Sequence, residues 1–167
     1  MSHPSLWLVS TESIFYHMKR ALFFTAALCC FISSAHAQTP SRDLSKAVLK
    51  NNAAAAETLL SAGANPNAPI EIVPGFATTY LITAASNNSL DLVKLLLKHK
   101  AQVNQADAFK STALMAAASK GNKAMVEVLL ANGADVRAKD EDGKDALALA
   151  RENGSAEVIA LMEQKLK

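Results

Sequence analysis

DAFKSTALMAAASKGNKAMVEVLLANGADVRAK, Asp107 to Lys139, is the stretch whose reading decides the fold. Thr112 is a good helix cap, and Ala113 to Lys120 is rich in small helix-forming side chains. Gly121-Asn122 interrupts that segment. A second helical segment then runs to Asn132 with an apolar stripe, and Gly133 supplies a residue able to turn left-handed at its end. Moving outward in steps of 33 residues returns the same pattern, with Thr79, Thr112 and Asp145 in register. Leu81, Leu114 and Leu147 keep step, as do Ala84, Ala117 and Ala150, then Val93, Val126 and Ile159. Each unit closes on a matching apolar pair: Leu95-Leu96, Val128-Leu129 and Leu161-Met162. A fixed period of this length predicts stacked helical hairpins, in which each unit buries its apolar face against its sequence neighbours. The expected fold is all-α, a solenoid of about four helix-turn-helix units with projecting loops between them. Such a stack presents an elongated rigid surface, so recognition of another protein is the first functional inference.

Composition agrees with that architecture. The chain has 167 residues, a formal charge of +2, 50% hydrophobic residues and only 5% aromatic ones. One domain of ordinary size fits this length. A near-neutral charge gives no electrostatic basis for a nucleic-acid partner, which usually requires a clustered basic face.

The averages hide a division at residue 37. Met18-Lys19-Arg20 precedes an apolar run from Ala21 to Ile32, which leads to Ala35-His36-Ala37. Two cations, an apolar run and small residues at −3 and −1 predict a secretory signal peptide cut after Ala37. The run of 12 residues is short of the roughly 20 that span a bilayer, so an uncleaved anchor is the lesser alternative. The first 17 residues do not resemble a charged leader, and translation is expected to start at Met18, with a long leader from Met1 as the alternative. Leu28 ahead of Cys29 argues against a lipid-modified cysteine. Cys29, Cys30 and Trp7 all precede the cut, so the segment from Gln38 to Lys167 has no cysteine for disulfides, thiol chemistry or metal binding. An exported, periplasmic product is expected, with full secretion as the alternative and no membrane insertion after cleavage.

The mature segment divides into a flexible leader at 38–42, a capping unit at 43–69 and a long inter-unit loop at 70–78. Further units follow at 79–107 and 108–140, with a closing unit at 141–167. The loop arises because Asn67 to Asn104 is 37 residues, whereas Asn104 to Arg137 is 33, so four extra residues lie around Ile70-Glu71-Ile72-Val73-Pro74. Asp43 is a candidate cap for a helix from Leu44 to Lys50, and Thr79, Thr112 and Asp145 are the candidate caps of the later first helices.

At these residues the chain resembles the ankyrin repeat family across nearly all of 43–166. The carrying motifs are Ser111-Thr112-Ala113-Leu114, Ala116-Ala117-Ala118, Gly121-Asn122, Val126-Glu127-Val128-Leu129-Leu130 and Asn132-Gly133-Ala134-Asp135-Val136. The family's Thr-Pro-Leu-His opening lacks its histidine here, since Ile82, Met115 and Ala148 stand in that place, and no unit has the proline. Lys100 occupies the position of Gly63 and Gly133, where a left-handed backbone would cost about 1–2 kcal/mol. The resemblance implies an ankyrin-type stack that binds proteins through loop tips and the exposed faces of first helices. It also brings small exported bacterial members into view, some of them similar to accessory proteins for periplasmic enzymes in peroxide defence or wall-hydrolase control.

No catalytic constellation accompanies these motifs, so the expectation is a non-enzyme without cofactor or metal. His99 is the only histidine after residue 37 and stands near a helix C-terminus, where it favours the helix dipole. Asp140-Glu141-Asp142 with Asp145 lacks the glycine and terminal glutamate of a calcium loop and reads as a solvated turn. Candidate partner-binding residues lie at the projecting positions. Phe76 and Phe109 are 33 apart in successive inter-unit turns, and Asp142 holds that place in the third. Exposed aromatic side chains are enriched at binding hot spots, the alternative being that each ring folds over its own loop. Tyr80 could extend the patch or pack inward. Asn87 and Lys120, at equivalent first-helix ends, and Lys110 beside Phe109 complete the candidate face. A chaperone-like or structural protein with no single partner is the second functional class, and an enzyme the third.

Overall fold

The computed structural model describes residues 38–153 and 155–166. The expected signal peptide, its cleavage site, Met18 and both cysteines therefore lie outside the described residues. The elements run α1 (Gln38–Leu49), α2 (Ala53–Ser61), β1 (Ile70–Val73), β2 (Phe76–Thr78), α3 (Tyr80–Ser86), α4 (Leu90–Lys98), α5 (Ala113–Ser119), α6 (Lys123–Ala131), α7 (Ala146–Glu152) and α8 (Ala156–Leu166). Helical hairpins α3/α4, α5/α6 and α7/α8 follow the predicted period, and α1/α2 begins the stack. None of the helices among the described residues is long and apolar enough to cross a membrane.

The first helices begin where the sequence places their caps. Thr79 Oγ1 accepts from the Ile82 N–H at 3.1 Å, and Asp145 Oδ1 accepts from the Ala148 N–H at 2.8 Å. At the middle unit Thr112 Oγ1 accepts from the Met115 N–H at 3.4 Å, while Met115 Sδ accepts back from the Thr112 N–H at 3.4 Å. A thioether thus closes the box that a longer polar side chain would ordinarily close. Seven-residue helices cannot persist alone, and their stability comes from packing.

That packing is layered. α3 lies against α5 and α5 against α7, forming one layer of first helices, while α2, α4, α6 and α8 form the second. The first helices bring Ala84, Ala85, Ala117, Ala118 and Ala150 to the interior with essentially no exposure, so their backbones approach closely. The second helices supply the volume: Leu92, Val93, Leu96, Met125, Val126, Leu129, Val158 and Met162 are all fully buried. One continuous apolar core results, running from Leu44 in α1 to Met162 in α8.

Polar ties hold the units in register. Asn67 Oδ1 accepts from the Gln102 N–H at 2.7 Å, and its Nδ2 donates to the Lys100 carbonyl at 3.3 Å. One unit later Asn104 repeats the arrangement, accepting from the Asp135 N–H at 2.8 Å and donating to the Gly133 carbonyl at 3.0 Å. Each asparagine reaches the helix end of the unit after it. Lys100 does adopt the left-handed conformation anticipated for it, with φ 68°, whereas its counterparts Gly63 and Gly133 reach that region as glycines.

Two local expectations are corrected. The segment 38–42 is part of α1, which begins at Gln38, so it is no flexible leader and Asp43 is not the helix's cap. Pro40 is compatible with that start because its missing N–H falls in the first turn, where no intrahelical partner exists. Asp43 instead pairs with Lys46 Nζ at 3.2 Å on the helix surface. The long loop at 70–78 is a β-hairpin: β1 and β2 pair antiparallel, Ile70 with Thr78, Glu71 with Ala77 and Val73 with Phe76, with an irregularity between Glu71 and Val73. Pro74-Gly75 makes the turn, Gly75 with φ 87°.

Candidate functional site

The projecting turns are built by aspartates. Asp107 Oδ1 accepts from the N–H groups of Phe109 and Ser111, both at 2.9 Å, and the Asp107 N–H donates to the Ser111 carbonyl at 3.0 Å. Asp140 closes the next turn in the same way, accepting from the Lys144 N–H at 2.8 Å. Successive tips are joined through their backbones: the Ala108 N–H donates to the Ala77 carbonyl at 3.2 Å, and the Glu141 N–H to the Phe109 carbonyl at 3.1 Å. The hairpin and the two later tips therefore form one linked row.

Fixed tips place the two phenylalanines together. The rings of Phe76 and Phe109 stack with centroids 5.4 Å apart and an interplanar angle of 14°, and each remains 49% exposed. Neither ring folds over its own loop. The pair forms one wall of an open cavity of about 610 Å³. Leu49 contributes from the end of α1, and Ile72, Val73, Ala77 and Thr78 from the hairpin. Ile82, Thr83, Ser86 and Asn87 line it from α3 and its C-cap, and Asp107 stands beside Phe109. The exposed large hydrophobic side chains among the described residues are Leu49, Ile72, Val73, Phe76 and Phe109, and every one of them lines this groove. Scattered apolar side chains are normal on a surface, but their confinement to one concavity marks a site.

The predicted face is assembled in part. Phe76, Phe109 and Asn87 share the groove. Asp142 does not line the groove but a smaller cavity of about 210 Å³, with Phe109, Ser111, Asp140 and Glu141. Lys110 is at the exposed second tip with φ 58°, and Lys120 caps the end of α5; both are exposed, and neither lines the groove. Tyr80 is a correction, because its side chain is fully buried and cannot meet a partner. Its hydroxyl donates to the Ser41 carbonyl at 2.8 Å and bonds the Ser45 hydroxyl at 3.1 Å, fastening α1 to α3. Burial raises its phenol above the ordinary value of 10.0, only partly opposed by the Ser45 hydrogen bond.

Sequence reasoning missed Leu49, Ile72 and Val73. The four-residue insertion was the available signal for the hairpin pair, and Leu49 was detectable as the apolar residue off the stripe of Leu44, Ala47 and Val48. Of the remaining ionisable groups, Lys144 Nζ contacts Glu152 Oε1 at 2.7 Å. Glu152 is the main cause of its raised pKa, through hydrogen bond and charge, with Asp142 and Asp140 adding to it. His99 caps α4, and its Nε2 is buried without a hydrogen-bond partner among the described residues. Among the described residues no three His, Cys, Asp or Glu side chains are grouped to hold a metal ion, the acidic turn at 140–142 included.

No curated protein matches the chain. A family model described as ankyrin repeats (3 copies) matches residues 44–140 and 81–165, most of the stacked body. With period, caps, linked tips and matched residues in agreement, the chain belongs to the ankyrin repeat family.

Proposed function

We propose that the protein is a non-enzymatic periplasmic module that holds or restrains another exported protein in the groove walled by Phe76 and Phe109. Ankyrin repeats are protein-interaction modules, and the coarser role follows from family membership. The finer one is supported by a single observation, the gathering of every exposed large hydrophobic side chain among the described residues into one concavity. Desolvating such side chains on contact contributes roughly 25 cal/mol per Å² of apolar area, and rigid aromatic anchors lose little conformational entropy. Export is supported by Met18-Lys19-Arg20, the following apolar run and Ala35-His36-Ala37.

The test couples location with capture. Fractionation should recover the protein in the periplasm with Gln38 as its first residue. Cross-linking there should yield one stoichiometric partner, and the Phe76→Ala/Phe109→Ala variant should lose it while retaining its helical circular dichroism. Undiminished capture by the folded double variant would remove the groove from consideration. Many weak partners in place of one would favour a chaperone-like role.

A further inference from the structure

The charged side chains that line the groove and the cavity next to it are all acidic, and the exposed Lys110 that follows Phe109 lines neither. The groove's lining includes a single ionisable side chain, Asp107, whose Oδ1 is engaged by two backbone N–H groups while Oδ2 has no partner among the described residues. Ser86 and Asn87 stand at the C-terminal end of α3, and Leu49 at that of α1, the ends at which a helix dipole places its partial negative charge. The smaller cavity, which Phe109 also lines, is lined by the acidic residues Asp140, Glu141 and Asp142. Lys139 and Lys144 flank that turn in sequence; Lys144 is already paired with Glu152, and the exposed Lys139 does not line the cavity. No lysine or arginine lines either cavity.

We propose that the groove's occupant is a polypeptide segment carrying an apolar side chain and, two residues along an extended backbone, an arginine or lysine. This rests on the groove being the partner site and adds the partner's chemistry. Phe109 is the wall shared by both cavities, so one segment can fill the apolar side and cross to the acidic side. Residues i and i+2 of an extended chain are about 6.6 Å apart and lie on the same face, at roughly 3.3 Å per residue. The aliphatic stem of the cationic side chain would lie along the exposed Phe109 ring, and its head would meet both the ring face and the carboxylates. Hydrophobic contact anchors the segment, and charge complementarity selects it over neutral or acidic ones.

Fluorescently labelled peptides on a Gly-Ser backbone test this against protein purified from expression of the full chain. The core sequences are Leu-Ser-Arg, Leu-Ser-Glu, Leu-Ser-Gln and Ser-Ser-Arg, and anisotropy reads the affinity. Leu-Ser-Arg should bind at least tenfold more tightly than Leu-Ser-Glu, and its affinity should fall severalfold as salt rises. Glu141→Lys/Asp142→Lys alters two exposed side chains that make no side-chain hydrogen bond, and it should reverse the order of the Arg and Glu peptides. Equal binding of the Arg, Gln and Glu peptides, lost in Phe76→Ala/Phe109→Ala, would overturn the charge selection and leave the groove standing. Tight binding of Ser-Ser-Arg alone would mark a site for small cations and overturn the segment. Absence of binding by every peptide at millimolar concentration would sink both readings.

Discussion

Asn67 and Asn104 show how one side chain can fix the register of a stack. Each carboxamide accepts from one backbone group and donates to another in the following unit, so both its dipole ends are used. Replacing Asn104 by Ala should cost about 1–2 kcal/mol for two hydrogen bonds, read as a lower urea midpoint. Arg137 stands at the equivalent place in the next unit, where its N–H donates locally to Asp135 Oδ1 at 2.8 Å. Arg137→Ala should stay within about 0.5 kcal/mol of the parent protein, as ordinary surface substitutions do. Lys100→Gly should stabilise by up to about 1 kcal/mol, because relief of the left-handed strain exceeds the glycine's extra unfolded-state entropy. Tyr80 gives an independent check through pH. Its folded pKa is raised, so the fold favours the protonated phenol, and its contribution to stability is complete below pH 10 and lost as pH rises through the folded value. It is the only tyrosine after residue 37, so phenolate absorbance reports it alone in protein prepared to begin at Gln38. The folded midpoint should lie above that in urea. At this scale the sequence disclosed positions better than roles. Asn67 and Asn104 were visible as equivalents, but their bonds to another unit's backbone have no one-dimensional signature. Tyr80, open to either reading in sequence, packs inward because Ser41 and Ser45 wait on α1 for its hydroxyl.

Elements begin and end where local chemistry dictates. Gly121 and Gly133 follow α5 and α6 with φ 65° and 85°, yet their surroundings differ. A Cβ on Gly133 would meet nothing within 4 Å, whereas one on Gly121 would come within 3.2 Å of Ser155 Cβ. Gly133→Ala should therefore cost about 1–2 kcal/mol of backbone strain alone. Gly121→Ala should cost more, because α5's end would press on the residue preceding α8. Parallel urea titrations decide between equal and unequal losses. Helix positions were legible because the 3.6-residue pattern and the caps Thr79, Thr112 and Asp145 agree. The hairpin was legible only as an excess of four residues, since Ile70 to Val73 is too short for periodicity to declare a strand. The start of α1 was misplaced because Pro40 and Ser41 look like punctuation, although a helix tolerates proline in its first turn.

The whole stack is a one-dimensional object whose units are stabilised by their neighbours. Leu129 is fully buried in the middle of the core, and Leu129→Ala should cost about 2–5 kcal/mol and loosen units on both sides. Met162→Ala, equally buried but in the terminal α8, should instead speed amide exchange mainly within α7 and α8. Native-state hydrogen exchange distinguishes spreading from confined damage. The fold was readable at this scale because the period is itself a three-dimensional statement. The groove was readable only in part: Phe76 and Phe109 declared themselves by register, while Leu49 reaches it from a helix more than twenty residues away.

The stacked rings belong to different units, one carried by the hairpin ahead of α3 and the other by the turn ahead of α5. Any ligand gripping both must brace the joint between two hairpins, so occupancy would act as a splint. Flexing at that joint would open the ring pair and loosen the ligand's hold, which ties the strength of attachment to the stiffness of the scaffold.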